Sequence, residues 1–536
     1  MKKLKLVSLA IAMACATPSF AGGLLTNTNQ HVSFNRMMSR EASIGIDGVY
    51  YNPAGVVFMG EGHHLAINWQ LAYQTRSIEN DYALFTNNVN NSITPRTFKG
   101  EAFAPVIPSF QYAYNKGRWS LQASFALTGG GGKCTFDNGL GSFEKIVAET
   151  AMAACGLART VDNVLGNTLG QPGMQMFTTD QAFGQRGEYS YNSYMHGRQY
   201  YYGLSVGAAY KFSDKFSAFA GVRGVYASTN YYGYVENIKV GNMPLYKVLD
   251  PNKENAANIE LSCDQSGIGF TPIIGVDFKT GKWNFSAKYE FKTRIRLKNK
   301  AVNQAPSISA LPDNLSRQMV GTLTQVFTNK GMTPENAQAV AANTTQAVLT
   351  NDDVVKTMAS LKTEFDAKLE EAIGEYEDGK KIAGDMPAYL ALGVGYSPVD
   401  AVRVNVGFHW FDDKHATSYN NRQEKLKRGT LEYNAGVEVD VNKKITLSTG
   451  WQNTNYGLSD EYMDDKSFVV SSNSVAVGGV YHINKKMDLN VAYFHTFYQH
   501  KKTSEKVLLS AAEKNNYSSD YTRNNNVFAV GLDINF

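Results

Sequence analysis

Residues 200–212 read YYYGLSVGAAYKF. Tyr200, Tyr202, Leu204, Val206, Ala208, Tyr210 and Phe212 occupy every second position, with Tyr201, Gly203, Ser205, Gly207, Ala209 and Lys211 between them. A period of two sends alternate side chains to opposite faces of an extended chain. The stretch therefore predicts a long β-strand with one apolar face and one small or polar face. The same alternation recurs at Trp119–Leu127, Trp283–Phe291, Val402–Trp410 and Leu431–Val441. The C-terminal stretch repeats it: Phe528, Val530, Leu532, Ile534 and Phe536 alternate with Ala529, Gly531, Asp533 and Asn535.

A soluble sandwich alternates too, with its apolar face inward. Three features favour a barrel that shows this face to lipid. The segments are long. Their aromatics gather at the ends, as in interfacial girdles. The connections alternate in length: 115–118, 213–215, 280–282, 397–401, 442–444 and 484–486 are tight turns, whereas 76–99, 131–198, 237–258, 300–385, 415–428, 457–467 and 502–521 are long. Short turns opposite long loops is the outer-membrane arrangement, and the segments number about fourteen, an even count. The fold class is thus an all-β transmembrane antiparallel barrel spanning 61–536.

Composition agrees. Gly (47), Tyr (31) and Phe (28) are abundant and Pro (14) is scarce. No stretch beyond the N-terminus has the roughly 18 consecutive apolar residues of a membrane helix. The formal net charge of +4 includes Lys2, Lys3 and Lys5. The remainder is nearly balanced, which argues against a nucleic-acid binder. Those lysines, the apolar run Leu6–Ala16 and Ser19-Phe20-Ala21 read as a signal peptide over 1–21, cleaved after Ala21. Cys15 lacks the Leu that a lipoprotein signal would place before it. Export permits disulfides. Cys134–Cys155 is the expected pair, with two free thiols the alternative, because spacing does not fix connectivity.

Two long connections carry helical periodicity. Across 313–378, Leu315, Met319, Leu323 and Phe327 form one stripe, and Val354, Met358, Leu361, Phe365, Leu369 and Ile373 another. Thr333-Pro334-Glu335 is a helix start. A second helical cap is expected at 144–170. These stripes predict helices packed on one another above the barrel mouth, where they could also receive an apolar ligand.

Before the first strand comes Ser43–Gly60, SIGIDGVYYNPAGVVFMG, with a tight turn at Asn52-Pro53. This segment with Asn52-Pro53-Ala54, then Val106-Ile107-Pro108-Ser109-Phe110 leading to Tyr112 and Tyr114, then a lysine-containing turn into Trp119–Leu127, resembles the FadL-type family. These are outer-membrane transporters of long-chain fatty acids and other hydrophobic compounds. Gly267–Phe291 and Pro387–Trp410 resemble paired strands of that family; the loops at 131–198 and 300–385 are enlarged. The resemblance implies a fourteen-stranded barrel whose N-terminal segment, here 22–60, folds inward as a hatch carrying the Asn52, Pro53, Ala54 motif. It also implies a kink in the third strand that opens the wall sideways. Gly129, Gly130, Gly131 and Gly132 end that strand and suit either a bend or a flexible exit into the loop.

The function expected is passive uptake of hydrophobic compounds, fatty acids or aromatic hydrocarbons, through the outer membrane of a Gram-negative bacterium. A surface adhesin or a general porin is the alternative. The partners implied are the hydrophobic small molecules, outer-membrane lipid and lipopolysaccharide, and the barrel-assembly machinery. Asp277, Lys288, Glu290, Lys292, Arg403, Glu432, Glu438 and Asp440 are expected to face inward. Arg36, Arg40, Lys288 and Arg403 are candidates to hold a carboxylate head, with internal ion pairing as the alternative. No cofactor, metal or enzymatic activity is expected. Gly129–Gly132 followed by Lys133-Cys134 lacks the GxxxxGK[ST] of a phosphate loop. His63-His64 would point to opposite faces of a strand, so the two do not suit one ion.

Overall fold

The computed structural model describes residues 24–179, 182–508 and 514–536. The signal peptide expected over 1–21 lies outside them. Its strands close into one antiparallel barrel of fourteen staves. They are β1 (Gly62–Asp81), β2 (Arg96–Lys116), β3 (Trp119–Phe136), β4 (Tyr189–Lys211), β5 (Phe216–Val240) and β6 (Ile259–Thr280). Next come β7 (Trp283–Glu290, then Arg296–Gln304), β8 (Lys381–Ala383, then Tyr389–Val399), β9 (Val402–Phe411), β10 (Thr430–Asn442) and β11 (Ile445–Asn455). The last three are β12 (Ser472–Asn484), β13 (Met487–Tyr498, then Lys501–Leu508) and β14 (Lys514–Asn535). β14 closes on β1 in register from His64↔Asn535 to Asp81↔Ser518, so no sheet edge is left to satisfy within lipid.

The alternation read from the sequence sorts the wall into two faces. Leu204, Val206, Phe270, Phe285, Val406 and Phe528 point outward and are exposed, while Gln111, Gln122, Asp277, Asn434 and Glu432 point inward and are buried. Against lipid an apolar outer face is favourable, because the transfer gain of about 25 cal/mol per Å² is lost if it stays in water. At the short-turn end, aromatic rings meet between staves: Trp119 edge-on to Tyr210 at 4.8 Å and Trp283 tilted against Tyr396 at 4.3 Å.

The connections differ from expectation in one respect. Much of 76–99 and 502–521 is strand: β1 runs to Asp81, β2 starts at Arg96, and Lys501–Leu508 pairs with β14. β5 is 25 residues long, whereas about 9–11 residues suffice to cross a bilayer. The excess projects beyond the membrane, where the outward face turns polar while the inward face stays apolar and joins the outer core, as Tyr231, Val235, Ile238 and Val240 of β5 do.

The helical expectations are met. Besides two short helices in the N-terminal segment, α1 (Val32–Met37) and α2 (Gly48–Tyr51), the β3–β4 connection holds α3 (Gly141–Thr168). The β5–β6 connection holds α4 (Tyr246–Leu249), and the β7–β8 connection holds α5 (Leu311–Asn329), α6 (Pro334–Leu349) and α7 (Asp352–Ile373). Pro334 and Glu335 stand in the first turn of α6, with Thr333 as its N-cap. Leu315, Met319, Leu323 and Phe327 are buried together with Phe143, Val147 and Val161 of α3, forming one core above the staves. The expected disulfide is corrected: Cys134 and Cys155 are free thiols. Cys134 lies in β3 opposite Ala102 and Gly197, while Cys155, on α3, donates to Gly184 O at 3.4 Å.

Candidate functional site

Residues 24–60 lie against the inward faces of the staves. Helix α1 begins where the His31 ring accepts from Ser33 N at 3.0 Å, and ends at Met38, which takes a left-handed φ of 62°. Its seat is made of glycines. A Cβ at Gly450 would come within 1.7 Å of Met37 O, and one at Gly436 within 2.1 Å. These inward positions on β10 and β11 stay bare so that helical backbone can approach the wall.

Asn52-Pro53-Ala54 binds three other staves. Asn52 Nδ2 donates to Asp277 Oδ2 of β6 at 2.6 Å and to Ser43 O at 3.3 Å, and Asn52 Oδ1 accepts from Gly55 N at 3.1 Å. Pro53 O accepts from Gln122 Nε2 of β3, and Ala54 O from Ser217 Oγ of β5, both at 2.7 Å. One turn thus satisfies its own orphan donor and ties the segment to the wall.

The four cations expected to hold a carboxylate head are engaged by the protein, which corrects that expectation in favour of internal pairing. Arg36 pairs with Glu438 and donates to Ser448 Oγ at 2.9 Å. Arg40 meets Asp47 Oδ2 at 2.6 Å. Lys288 Nζ donates to Tyr50 O at 2.6 Å and to Glu290 Oε1 at 2.9 Å. Arg403 donates to Glu438 Oε1 and Asp440 Oδ2, both at 2.7 Å. Of the residues expected to face inward, Asp277, Lys288, Glu290, Glu432 and Glu438 are buried.

Sequence reading missed a further bridge. His409 of β9 is fully buried between two carboxylates, Nε2 at 2.7 Å from Glu41 Oε1 and Nδ1 at 2.8 Å from Glu432 Oε2. His409 does stand on the inward register of Val402–Trp410, but nothing in the sequence marks Glu41 as its partner. His63 and His64 part as expected: His63 meets Tyr112 OH, and His64 meets Asn535 and Gly60 O. No cluster of three metal-ligating groups occurs among the described residues.

The wall is interrupted between β2 and β3. Their ladder pairs Ala102 with Cys134, then resumes only at Phe110↔Phe125. On β2 the unpaired stretch contains Pro105 and Pro108, which have no amide to donate. On β3 it contains Gly129–Gly132, with φ of +70° at Gly130 and +138° at Gly131. The freed β3 carbonyls turn to the N-terminal segment: Asn27 N donates to Thr128 O at 2.9 Å, and Asn27 Nδ2 to Gly130 O at 2.7 Å. Ala104, Ile107 and Leu127, beside the break, join one apolar cluster with Phe34, Tyr50 and Tyr51 of the segment. An apolar cavity of about 80 Å³ lies in the outer helices, lined by Leu157 and Val161 of α3, Leu315 of α5, and Leu361 and Phe365 of α7.

No family model and no curated protein sequence matches the chain. Solved structures do. A Pseudomonas aeruginosa FadL homologue matches at 12% identity and TM-score 0.57, over 96% of this chain and all of its own. The Ralstonia pickettii toluene transporter TbuX matches at 13% identity and TM-score 0.45, and the P. putida toluene transporter TodX at 13% and 0.46, each over 92% of this chain and 94% of its own. With its closed sheet of fourteen staves and its end-to-end superposition, this chain has the fold of the FadL homologue.

Proposed function

We propose that the protein is an outer-membrane channel for passive uptake of hydrophobic compounds, with residues 24–60 acting as a hatch. The single observation that carries this reading is the break in the β2–β3 ladder, faced from inside by the N-terminal segment and its apolar cluster. A water-filled porin has no use for such a break, because polar solutes do not leave sideways into lipid. A hydrophobic solute does, since each buried methylene gains about 0.8 kcal/mol. In this reading the outer helices collect the solute, the bore passes it to the cluster around Phe34 and Tyr51, and the gap beside Ile107 and Leu127 releases it. Diffusion down a gradient suffices. The likeness to a FadL homologue supports the architecture, and long-chain fatty acids or aromatic hydrocarbons are the substrate classes to try first.

The test is uptake by cells of a Gram-negative host lacking its own transporter of this kind. Expression of the chain should raise accumulation of radiolabelled oleate or toluene above the empty host. Gly130→Val, which forces a side chain into a left-handed backbone and against Gln199 O, should reduce that gain without abolishing barrel assembly. Equal accumulation with and without the protein, combined with sugar-driven swelling of proteoliposomes, would replace this reading with a general porin.

A further inference from the structure

A cavity of about 650 Å³ lies between Leu24 and Leu25 and the long connections. Its lining carries an excess of carboxylates. Four are matched: Asp385 by Lys292 and Arg296, Asp460 by Lys501, Asp464 by Lys466, and Glu505 by Lys145. Four more, Glu375, Asp413, Glu461 and Asp465, form no ion pair among the described residues. On the basic side only Lys425 is left without one.

A second, independent feature marks the floor. Tyr201 is only 2% exposed and lines the cavity next to Gly384. Its hydroxyl has no hydrogen-bond partner among the described residues. Around it the lining is apolar, with Leu25, Leu297 and Ile382 in one cluster with its ring. Further tyrosines, Tyr376, Tyr419 and Tyr462, face the same space. The cavity therefore combines an open hydrogen-bond acceptor, aromatic faces, an apolar floor and unmatched negative charge.

We propose that this cavity is a selectivity chamber for amphiphiles bearing an organic ammonium head, and that it disfavours carboxylates. The proposal rests on the channel reading above and names the head group favoured among the hydrophobic compounds of that channel, so that a fatty acid enters less readily than an amine of the same chain length. The ammonium would lie between the unmatched carboxylates and the tyrosine faces, donating to the Tyr201 hydroxyl, while its alkyl chain covers Leu25 and Leu297. Charge lining a cleft with low-dielectric walls focuses its field on whatever enters, and aromatic faces attract cations. A carboxylate head meets the same field with the opposite sign. Burial also lifts the Glu375 carboxyl to about 7, against the pull of Lys466 and Arg422, and the Asp465 carboxyl to about 6. Neither carboxyl has a cation at ion-pairing distance among the described residues, and an ammonium would supply one.

The test is equilibrium dialysis at pH 7.5 of octylamine, 1-octanol and octanoate against the full chain in nanodiscs of zwitterionic lipid, with empty nanodiscs subtracted. The three probes share one alkyl chain. Octylamine should bind on the order of tenfold more tightly than octanoate, with octanol between them. Glu375→Gln combined with Glu461→Gln should bring the amine-to-carboxylate ratio close to one. Neither side chain makes a hydrogen bond among the described residues, so folding should hold, and a heat-sensitive shift in gel mobility checks it. Tyr201→Phe should weaken octylamine several-fold. Octanoate binding as tightly as octylamine, or a ratio unmoved by the double substitution, would overturn the proposal. Flux of the same probes into proteoliposomes is read separately. No flux of any probe would overturn the channel reading, while the dialysis ratio still decides the chamber.

Discussion

Asn52 joins the N-terminal segment to the wall through a side chain used at both ends. Its Nδ2 reaches Asp277, and its Oδ1 holds Gly55 N. In Asn52→Ala both contacts vanish, and the buried Asp277 keeps only its bond from Asn284 at 2.9 Å. A buried polar group left without its partner costs about 1–3 kcal/mol, a loss that falls on the contact between segment and wall and not on the ladder. Hydrogen exchange at Gly55–Phe58 should therefore quicken by one to two orders of magnitude in Asn52→Ala, and substrate uptake should change with it, while the barrel keeps its gel mobility. Unchanged exchange at these amides would show that the turn is held by Gln122 and Ser217 alone. The turn at Asn52-Pro53-Ala54 was legible in the sequence, because Pro53 imposes a turn and Asn52 is suited to close it. The identity of Asp277 as its partner was only half legible. Period-two alternation put Asp277 on the inner face, but which atom of the N-terminal segment it meets depends on the barrel's register, which no local pattern encodes. The Glu41–His409–Glu432 bridge was hidden for the same reason, its members lying more than 360 residues apart at one step.

At the scale of elements, the outer cap is built of connections rather than staves, and its carboxyls are pH-sensitive. Burial raises Glu375 from 4.5 to about 7, and Asp413 and Asp465 from 3.8 to about 6. Each holds its proton more tightly in the folded cap than in the unfolded chain. The folded state therefore binds the extra protons between about pH 4 and pH 7, and the cap loses stability as pH rises through that window. Hydrogen exchange of 374–385 and 457–470, corrected for its intrinsic pH dependence, should show several-fold greater protection at pH 5 than at pH 8. Equal or greater protection at pH 8 would mean that these carboxyls meet solvent freely. The cap's helices were readable because their stripes recur every three or four residues: α3 fills the stretch expected at 144–170, and α5, α6 and α7 that expected at 313–378. The outer ends of β1, β2, β13 and β14 were not readable as strands. Lipid imposes an apolar outward face only where it touches the wall, and beyond it the ladder persists with that face polar, Lys99 and Glu101 of β2 standing outward where Phe98 and Ala102 are buried inward. The break in the β2–β3 ladder stood between these cases. Gly129–Gly132 were expected to end the third strand, but β3 continues through them to Phe136, paired with β4; a bend and a flexible exit share that composition until β2, with Pro105 and Pro108, is placed beside it.

At the scale of the whole molecule, the wall and its contents are separable. The closing ladder of β1 and β14 runs from His64↔Asn535 outward, so removal of 24–58 leaves every stave intact. A barrel of about fourteen strands lies between the small filled barrels and the open porins of 16–18; emptied, it should conduct. The charges that now face the segment need not destabilise the emptied barrel. Arg403 remains with Glu438 and Asp440, Arg223 with Glu290 at 2.6 Å, and His409 with Glu432. Glu438 loses Arg36, and Lys288 loses Tyr50 O, but water filling the bore solvates both, and an exposed ion pair is worth little either way. Deletion of 24–58 should thus yield a protein that still assembles and raises single-channel ion conductance in planar bilayers by at least an order of magnitude over the intact chain. Conductance of the deletion equal to that of the intact chain would show that something other than this segment closes the bore, with the folded connections around Glu375 and Asp465 the first to be removed in turn.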